Sequence, residues 1–186
     1  GDRWEWDAEI GLTYRVDKLA AVYTSRDVAD PTRSTAEHLS RLHALGADDI
    51  LKEHERAWRE RWEAADVVIE GDVEDQQAIR FALYHLIASA NPLDEYVSIG
   101  ARALTGETYK GHVFWDTEIY MLPFFVFTYP EAARALLMYR YHTLSGARAK
   151  ARAMGYRGAL YAWESADTGE EVTPPFALTP DGEIVP

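Results

Sequence analysis

The chain has 186 residues, of which 47% are hydrophobic and 27% charged, a composition typical of a globular protein with a sizeable core. Its formal net charge of −12 disfavours nucleic acid and anionic membranes as partners, because phosphate groups would be repelled. The absence of cysteine excludes disulfides and thiolate chemistry. The longest apolar run, 120–127, is far shorter than the ~20 residues of a membrane span. Residues 1–5 show no signal-peptide pattern, so we expect a cytoplasmic protein.

Alternating apolar residues predict β-structure near the start of the chain. Within 3–26, Leu12, Tyr14 and Val16 alternate with polar residues, which is the period-2 pattern of a half-buried strand. Because two strands alone are marginally stable, this segment is predicted to be the end of a sheet domain. The first residue is Gly1 rather than Met, so we also expect the chain to have been processed or cut out of a larger protein.

After a turn-rich linker at 30–34, the apolar residues recur at the three- and four-residue spacing of a helix. Thr35 is the predicted N-cap of a first helix that ends at Gly46. A longer helix is predicted from Asp48, with its apolar residues along one stripe. Further helices are predicted over 72–90, 116–127, 130–143 and 145–154.

Four segments carry more specific predictions. The helix at 72–90 has little polar face and is predicted to be largely buried, and the apolar run at 120–127 is predicted to pack in the core. The long irregular segment at 93–113 is typical of a binding loop. The proline-rich tail after Thr173 is predicted to be extended coil.

Two tryptophan–carboxylate pairs are the most informative feature. Trp115 precedes Asp116, and Trp163 precedes Glu164. An indole can cover the apolar face of a pyranose while the carboxylate accepts hydrogen bonds from ring hydroxyls. Two such pairs between helices predict a carbohydrate pocket, although one Trp beside a capping Asp would be an ordinary structural feature. His112, just before the first pair, is either a further site residue or a loop anchor.

Glycosyl transfer needs a proton donor, and an inverting hydrolase needs a second carboxylate to activate water. A phosphorylase needs only the donor, because phosphate is itself the nucleophile. The acids in or beside the two motifs are Asp116, Glu118, Glu164, Asp167, Glu170 and Glu171. The residues alone leave the choice among them open, and the last two are more typical of a solvated loop.

Two other kinds of chemistry are disfavoured. The six histidines lack the spacing of a metal site, so no metal is expected. Ser165 lacks the flanking glycines of a nucleophile elbow, so a serine nucleophile is not expected either.

Several blocks of the chain resemble glycoside hydrolase family 65 over roughly residues 10–175. They are IGARALTG at 99–106, YKGHVFWDTE at 109–118, YRYHTL at 139–144, GAR at 146–148, MGYRGA at 154–159, and WES with GEE within 163–171. The family contains maltose, trehalose, kojibiose and nigerose phosphorylases and acid trehalases.

This resemblance implies a mainly α fold: the first part of an (α/α)6 barrel at 71–186, preceded by a helical linker at 31–70. Residues 1–30 would be the terminal strands of an N-terminal β-sandwich. It further implies inverting phosphorolysis of an α-glucosyl disaccharide to β-glucose 1-phosphate and glucose. Inorganic phosphate would be the co-substrate, with no metal or organic cofactor.

The resemblance also implies which residues bind the sugar. Trp115, Asp116, Trp163 and Glu164 would line the subsite for the non-reducing glucose. The family's general acid and phosphate-binding residues come from the later part of the barrel, so both are expected beyond Pro186. We therefore expect an inactive isolated chain that forms a homo-oligomer or associates with the missing half of the barrel. The alternatives are part of a trehalase-type hydrolase, or a non-enzymatic module that binds sugar or a protein partner.

Overall fold

The computed structural model describes residues 3–106, 108–178, 181 and 183–185. The chain divides into two compact units, 1–60 and 61–186. Two prolines of the predicted extended tail, Pro180 and Pro186, lie outside the described residues.

The strands predicted over 3–26 are not formed in the first unit, so the prediction of a short β segment there was wrong. That segment contains only turns, at 10–11 and 25–27. The alternating apolar residues remain exposed, with Leu12 at 59% and Val16 at 57%. A period-2 pattern describes one face of a strand, but a strand also needs a partner for its backbone groups. No such partner is present among the described residues of this unit.

Helix α1 spans Pro31–Leu45, and its N-cap, Asp30, lies five residues before the predicted N-cap Thr35. The carboxylate of Asp30 caps it by accepting the backbone N–H of Arg33 at 3.0 Å, and Pro31 occupies the first turn, where its fixed φ is favourable. The linker assigned to 30–34 therefore already belongs to the helix. Helix α2, Ala47–Ala65, follows after one residue, as its apolar stripe predicted.

Helix α2 ends within the second unit, and helix α3, Val73–Ser89, follows it there with Asp72 as its N-cap. It buries only Leu83 and Ile87, whereas Phe81 is 66% exposed. The prediction of a largely buried helix was therefore wrong. The apolar residues of α3 lie on several faces of the helix, and the rest of the second unit packs against only one of these faces.

A short ladder and a run of helices form the rest of the second unit. Strand β1, Val113–Phe114, pairs antiparallel with β2, Glu164–Ser165. Between them lie a π-helical turn and three helices: Thr117–Met121, α4 at Leu122–Thr128, α5 at Pro130–His142 and α6 at Leu144–Ala153. A second antiparallel pair joins β3, Ala177–Leu178, to β4, Ile184–Val185. The prediction of a mainly α protein is confirmed.

The core of this unit lies where α4 meets α5. Phe125 is fully buried and packs with Ala132, Ala133 and Leu136 of α5 and with Ile99. The small alanines let the two helices approach closely enough for the ring to fill the space between them. The other residues of the apolar run are less buried than predicted, because neighbouring elements cover only one face of α4. The exposed residues of the run include Tyr120, Val126 and Phe127.

No helix among the described residues is long and apolar enough to cross a membrane.

Candidate functional site

Strands β1 and β2 bring the two tryptophan–carboxylate motifs together. Phe114 pairs with Glu164, and Val113 pairs with Ser165. Ser165 is completely buried, and its hydroxyl lies 3.2 Å from the Tyr139 hydroxyl. These contacts fix the register of the ladder, so the residues just outside it, Trp115 and Trp163 among them, have a defined relative position.

Four aromatic rings cluster beside the ladder. The rings of Trp115 and Trp163 meet edge to face, with centroids 4.9 Å apart and planes at 76°. Phe114 contacts Trp163 at 5.6 Å, and Tyr109 contacts Phe114 at 5.5 Å, both also edge to face. Such geometry is favourable for aromatic pairs and holds each ring in one orientation.

This cluster borders a cavity of about 440 Å³, a volume within the range of small-molecule sites. The cavity is lined by Ala101, Tyr109, Phe114, Asp116, Thr117, Tyr120, Met121 and Trp163. Asp116 is the one acidic residue in this lining. Its Oδ2 atom is buried and has no hydrogen-bond partner among the described residues. A buried carboxylate oxygen without a donor is costly, and the residue that carries it is part of the cavity lining.

His112 and Glu164 form a hydrogen bond beside the cavity instead of lining it. The Nδ1 atom of His112 lies 2.7 Å from Oε1 of Glu164. Both side chains are mostly buried, with 24% and 12% exposed. The contact orients the imidazole ring and occupies one carboxylate oxygen of Glu164.

The π-helical turn after Asp116 is fixed on two sides. The hydroxyl of Thr117 donates to the backbone oxygen of Ile99 at 3.3 Å. On α5, Nη2 of Arg140 donates to Oε2 of Glu118 at 2.8 Å. The wall that carries Asp116 is thus connected both to the loop before β1 and to a neighbouring helix.

Glu171 anchors the loop that follows β2. Its burial alone would raise the pKa of its carboxyl group, but donors outweigh this effect. The donors are the Lys150 ammonium, the Thr173 hydroxyl and the backbone N–H groups of Glu164 and Trp163, and they lower the pKa of Glu171 from 4.5 to about 2. This glutamate is therefore a structural residue that positions the second motif, whereas the sequence suggested a solvated carboxylate in a loop.

Two glycines let this loop pack against α6. A Cβ atom on Gly146 would lie only 2.7 Å from the backbone of Gly169, closer than such atoms approach in proteins. Gly169 itself has φ of +74° and faces Thr143. The close backbone contact holds the segment 164–171 against the helix.

The predicted site residues thus fall into two groups. Asp116 and Trp163 line the cavity, and Trp115 contacts the Trp163 ring. Glu164 and His112 contact each other and are outside the lining residues.

Tyr109 and Tyr120 also line the cavity, although they were not among the predicted site residues. The available signal was an aromatic residue close to each side of the first motif. Among the described residues, no group of three or more His, Asp or Glu is placed to hold a metal ion.

Comparison with known proteins agrees with the motifs. The model of the glycosyl hydrolase family 65 central catalytic domain matches residues 80–184, and the model of the family's N-terminal domain matches residues 1–61. The kojibiose phosphorylase of Caldanaerobacter subterraneus subsp. tengcongensis is 51% identical over 97% of this chain and 24% of its own length. The kojibiose hydrolase of Flavobacterium johnsoniae is 41% identical over 92% of this chain and 25% of its own.

A solved structure has a similar fold. "Putative kojibiose phosphorylase from human microbiome" superimposes with a TM-score of 0.70 and 34% sequence identity, over 75% of this chain and 20% of that chain. The chain spans about a quarter of the length of the curated relatives it matches. Because the family models together cover most of the residues, the chain belongs to glycosyl hydrolase family 65.

Proposed function

We propose that this chain is part of an inverting glycoside phosphorylase that acts on an α-glucosyl disaccharide. A phosphate oxygen attacks the anomeric carbon, the bond to the leaving sugar oxygen breaks, and that oxygen takes a proton. The products are β-glucose 1-phosphate and glucose, and inorganic phosphate is the co-substrate, without a metal or organic cofactor.

The buried, unpartnered oxygen of Asp116 is the observation that carries this proposal. Asp116 lines an aromatic cavity of small-molecule size, where a sugar hydroxyl would donate to its carboxylate once that side chain turns toward the ligand. The Trp163 ring in the same lining offers an apolar surface for the pyranose face. Trp115 holds that ring in place through its edge contact.

We assign Glu164 and His112 to the edge of the same subsite. The hydrogen bond between them fixes the imidazole, which leaves Nε2 free to exchange a hydrogen bond with a sugar hydroxyl. Because Glu164 already has a partner and lies outside the cavity lining, we do not assign it the role of general acid. We propose that the proton donor and the phosphate site follow Pro186.

We propose the corresponding domain assignment. Residues 71–186 are the first part of an (α/α)6 barrel and 31–70 are its helical linker. Residues 1–30 stay with the N-terminal domain, although the strands expected there are not formed. The match of the central catalytic domain model from residue 80 supports the position of the barrel.

The deciding experiment is phosphorolysis of kojibiose, nigerose, maltose and trehalose, each with and without phosphate. It should be run on this chain and on a chain of the length of the family's phosphorylases. We expect phosphate-dependent release of glucose 1-phosphate from the longer chain only. Release by the 186-residue chain would place a proton donor within it, and Glu164 would then be the first residue to replace.

Two other functions remain distinguishable by the same assay. A hydrolase, which the Flavobacterium johnsoniae relative brings into consideration, would release glucose from the longer chain equally well without phosphate. A non-enzymatic module would bind glucose without turnover in either chain.

A further inference from the structure

A buried ion pair supports the turn that follows Asp116. Glu118 lies within the π-helical turn, and its Oε2 atom accepts a hydrogen bond from Nη2 of Arg140 on α5 at 2.8 Å. Their side chains are 20% and 8% exposed. Neither residue lines the aromatic cavity, whereas Asp116, Thr117 and Tyr120 of the same segment do. The pair therefore holds the turn from a side other than the one that faces the cavity.

Arg140 is itself held on several sides. Its guanidinium carbon lies 5.2 Å from the ring centroid of Tyr139 and 5.7 Å from that of Tyr161, within cation–π range. The Tyr161 hydroxyl donates to the backbone oxygen of Arg140 at 3.0 Å. The Tyr139 hydroxyl donates to the backbone oxygen of Ala166, just after β2, at 2.7 Å. The arginine that orients the first motif thus sits beside contacts that fix the second.

This ion pair is expected to contribute little to the stability of the fold. Oε1 of Glu118 and Nε of Arg140 are buried without a hydrogen-bond partner among the described residues. A buried pair with incomplete hydrogen bonding contributes little, since apolar residues of similar volume are often as stable. A charge-assisted N–H···O hydrogen bond is directional and fixes the relative orientation of its two groups, which apolar packing does poorly. Here it fixes the rotation of a π-helical turn, an irregularity frequent at functional sites.

We infer that Glu118 and Arg140 are positioning residues, which orient the Asp116 carboxylate toward the sugar in the aromatic cavity. The inference rests on the proposed sugar-binding function and assigns no contact with substrate to either residue. It predicts that removing both charges weakens sugar binding through Asp116 while leaving the fold intact.

The test is glucose binding by the double variant Glu118→Leu/Arg140→Leu, followed by the quenching of tryptophan fluorescence. Removing both partners leaves no unpaired buried charge, so the melting temperature should change little. We expect affinity to fall about tenfold, because small misplacements of a binding group are costly. The matched control is Asp66→Leu/Arg80→Leu, which removes another ion pair outside the cavity lining and should leave affinity unchanged.

A thermodynamic cycle with Asp116→Asn separates positioning from a general structural role. If the pair acts through Asp116, the double variant should cause no further loss once the Asp116 carboxylate is gone. A full additional tenfold loss in the Asp116→Asn background would overturn the inference, and so would unchanged affinity in the double variant.

A second readout needs no sugar. The carboxyl ¹³C chemical shift of Asp116 should differ between the wild-type chain and the double variant, and identical shifts would overturn the inference. If the leucine variant fails to fold, Glu118→Gln takes its place in the same comparison. A wild-type chain that binds no glucose would count against the proposed function, while the chemical shifts would still decide the role of the pair.

Discussion

Asp116 is the acidic residue of the cavity lining, and one of its oxygens has no partner among the described residues. Asp116→Asn keeps the shape but loses the charge, so glucose binding should weaken about tenfold to a hundredfold. Titration calorimetry measures this directly. Asp167→Asn is the matched control, because Asp167 is an exposed acid of the second motif outside the lining. Equal affinity for both variants would remove Asp116 from the site.

The same residue has an expected effect on catalysis. In the proposed longer phosphorylase, Asp116→Ala should raise the activation barrier by several kcal/mol, because buried contacts to a reacting sugar strengthen in the transition state. The measurement is kcat/KM for phosphorolysis. A variant that turns over at the wild-type rate would contradict the assignment.

Glu171 predicts a pH dependence of stability. Its folded pKa of about 2 lies below its ordinary 4.5, so the carboxylate stabilises the fold fully above about pH 4.5. This contribution is lost as the pH falls from about 4.5 toward 2. Partial exposure screens the charges, so we expect about 1–2 kcal/mol rather than the full value implied by the shift.

The measurement is urea unfolding of Glu171→Gln at pH 7 and at pH 3. The variant should be less stable than the wild type at pH 7, and the difference should shrink at pH 3. The exposed neighbour supplies the control, Glu170→Gln, which should change stability little at either pH. A difference for Glu171→Gln that stays constant with pH would show that its carboxylate is not the titrating group.

At the scale of elements, the contact between α6 and the loop after β2 depends on glycine. Alanine normally favours a helix over glycine by about 1 kcal/mol, but at Gly146 its Cβ would meet the backbone of Gly169. We expect Gly146→Ala to lower the free energy of unfolding by about 1–3 kcal/mol, as overpacking does. It should also weaken glucose binding, because the shifted loop carries Glu171, whose carboxylate accepts the backbone N–H of Trp163.

Gly155→Ala is the matched control for that prediction. Gly155 has φ of +79° but open space around its Cβ position, so its replacement adds backbone strain without a clash. A loss of roughly 1 kcal/mol is expected, with no change in sugar affinity. Equal effects of both variants on affinity would refute a specific role for the glycine contact.

Local signals explain which elements the sequence could predict. Pro130, at the first turn of α5, and the apolar stripe along α2 correctly predicted the positions of these two helices. Asp30-Pro31 is compatible with a turn and with a helix start, so α1 was predicted to begin late. The strands over 3–26 failed because a strand depends on a partner that an alternating pattern does not specify.

The candidate site likewise has features that the sequence could predict and features that it could not. The indole–carboxylate composition singled out Trp115, Asp116, Trp163 and Glu164, and two of them, Asp116 and Trp163, line the cavity. The ladder between β1 and β2 was not predictable, because two-residue strands far apart in the chain carry no periodic signal. The hydrogen bond between His112 and Glu164 depends on that ladder and could not be anticipated either.

At the scale of the molecule, the second unit exposes many large apolar side chains. Phe127 is 86% exposed, Leu104 80% and Phe81 66%. Exposed apolar surface favours association with a second copy or with another part of the proposed longer protein. We therefore expect the sedimentation coefficient of this chain to rise with concentration, and Phe81→Ser/Phe127→Ser to reduce that rise.

Val22→Ser is the control for this prediction, since Val22 is 85% exposed in the first unit. It should leave the concentration dependence unchanged. A monomer at every concentration would contradict the expected association.

The edge-to-face tryptophans have a spectroscopic consequence. Two indoles whose centroids are 4.9 Å apart couple their electronic transitions, and their fixed orientation within the chiral fold gives the coupled pair rotational strength. The circular dichroism spectrum should therefore contain an exciton couplet that disappears in Trp115→Phe and equally in Trp163→Phe. Its amplitude during refolding would report when the two motifs meet, separately from the ellipticity of the helices, and without any added label.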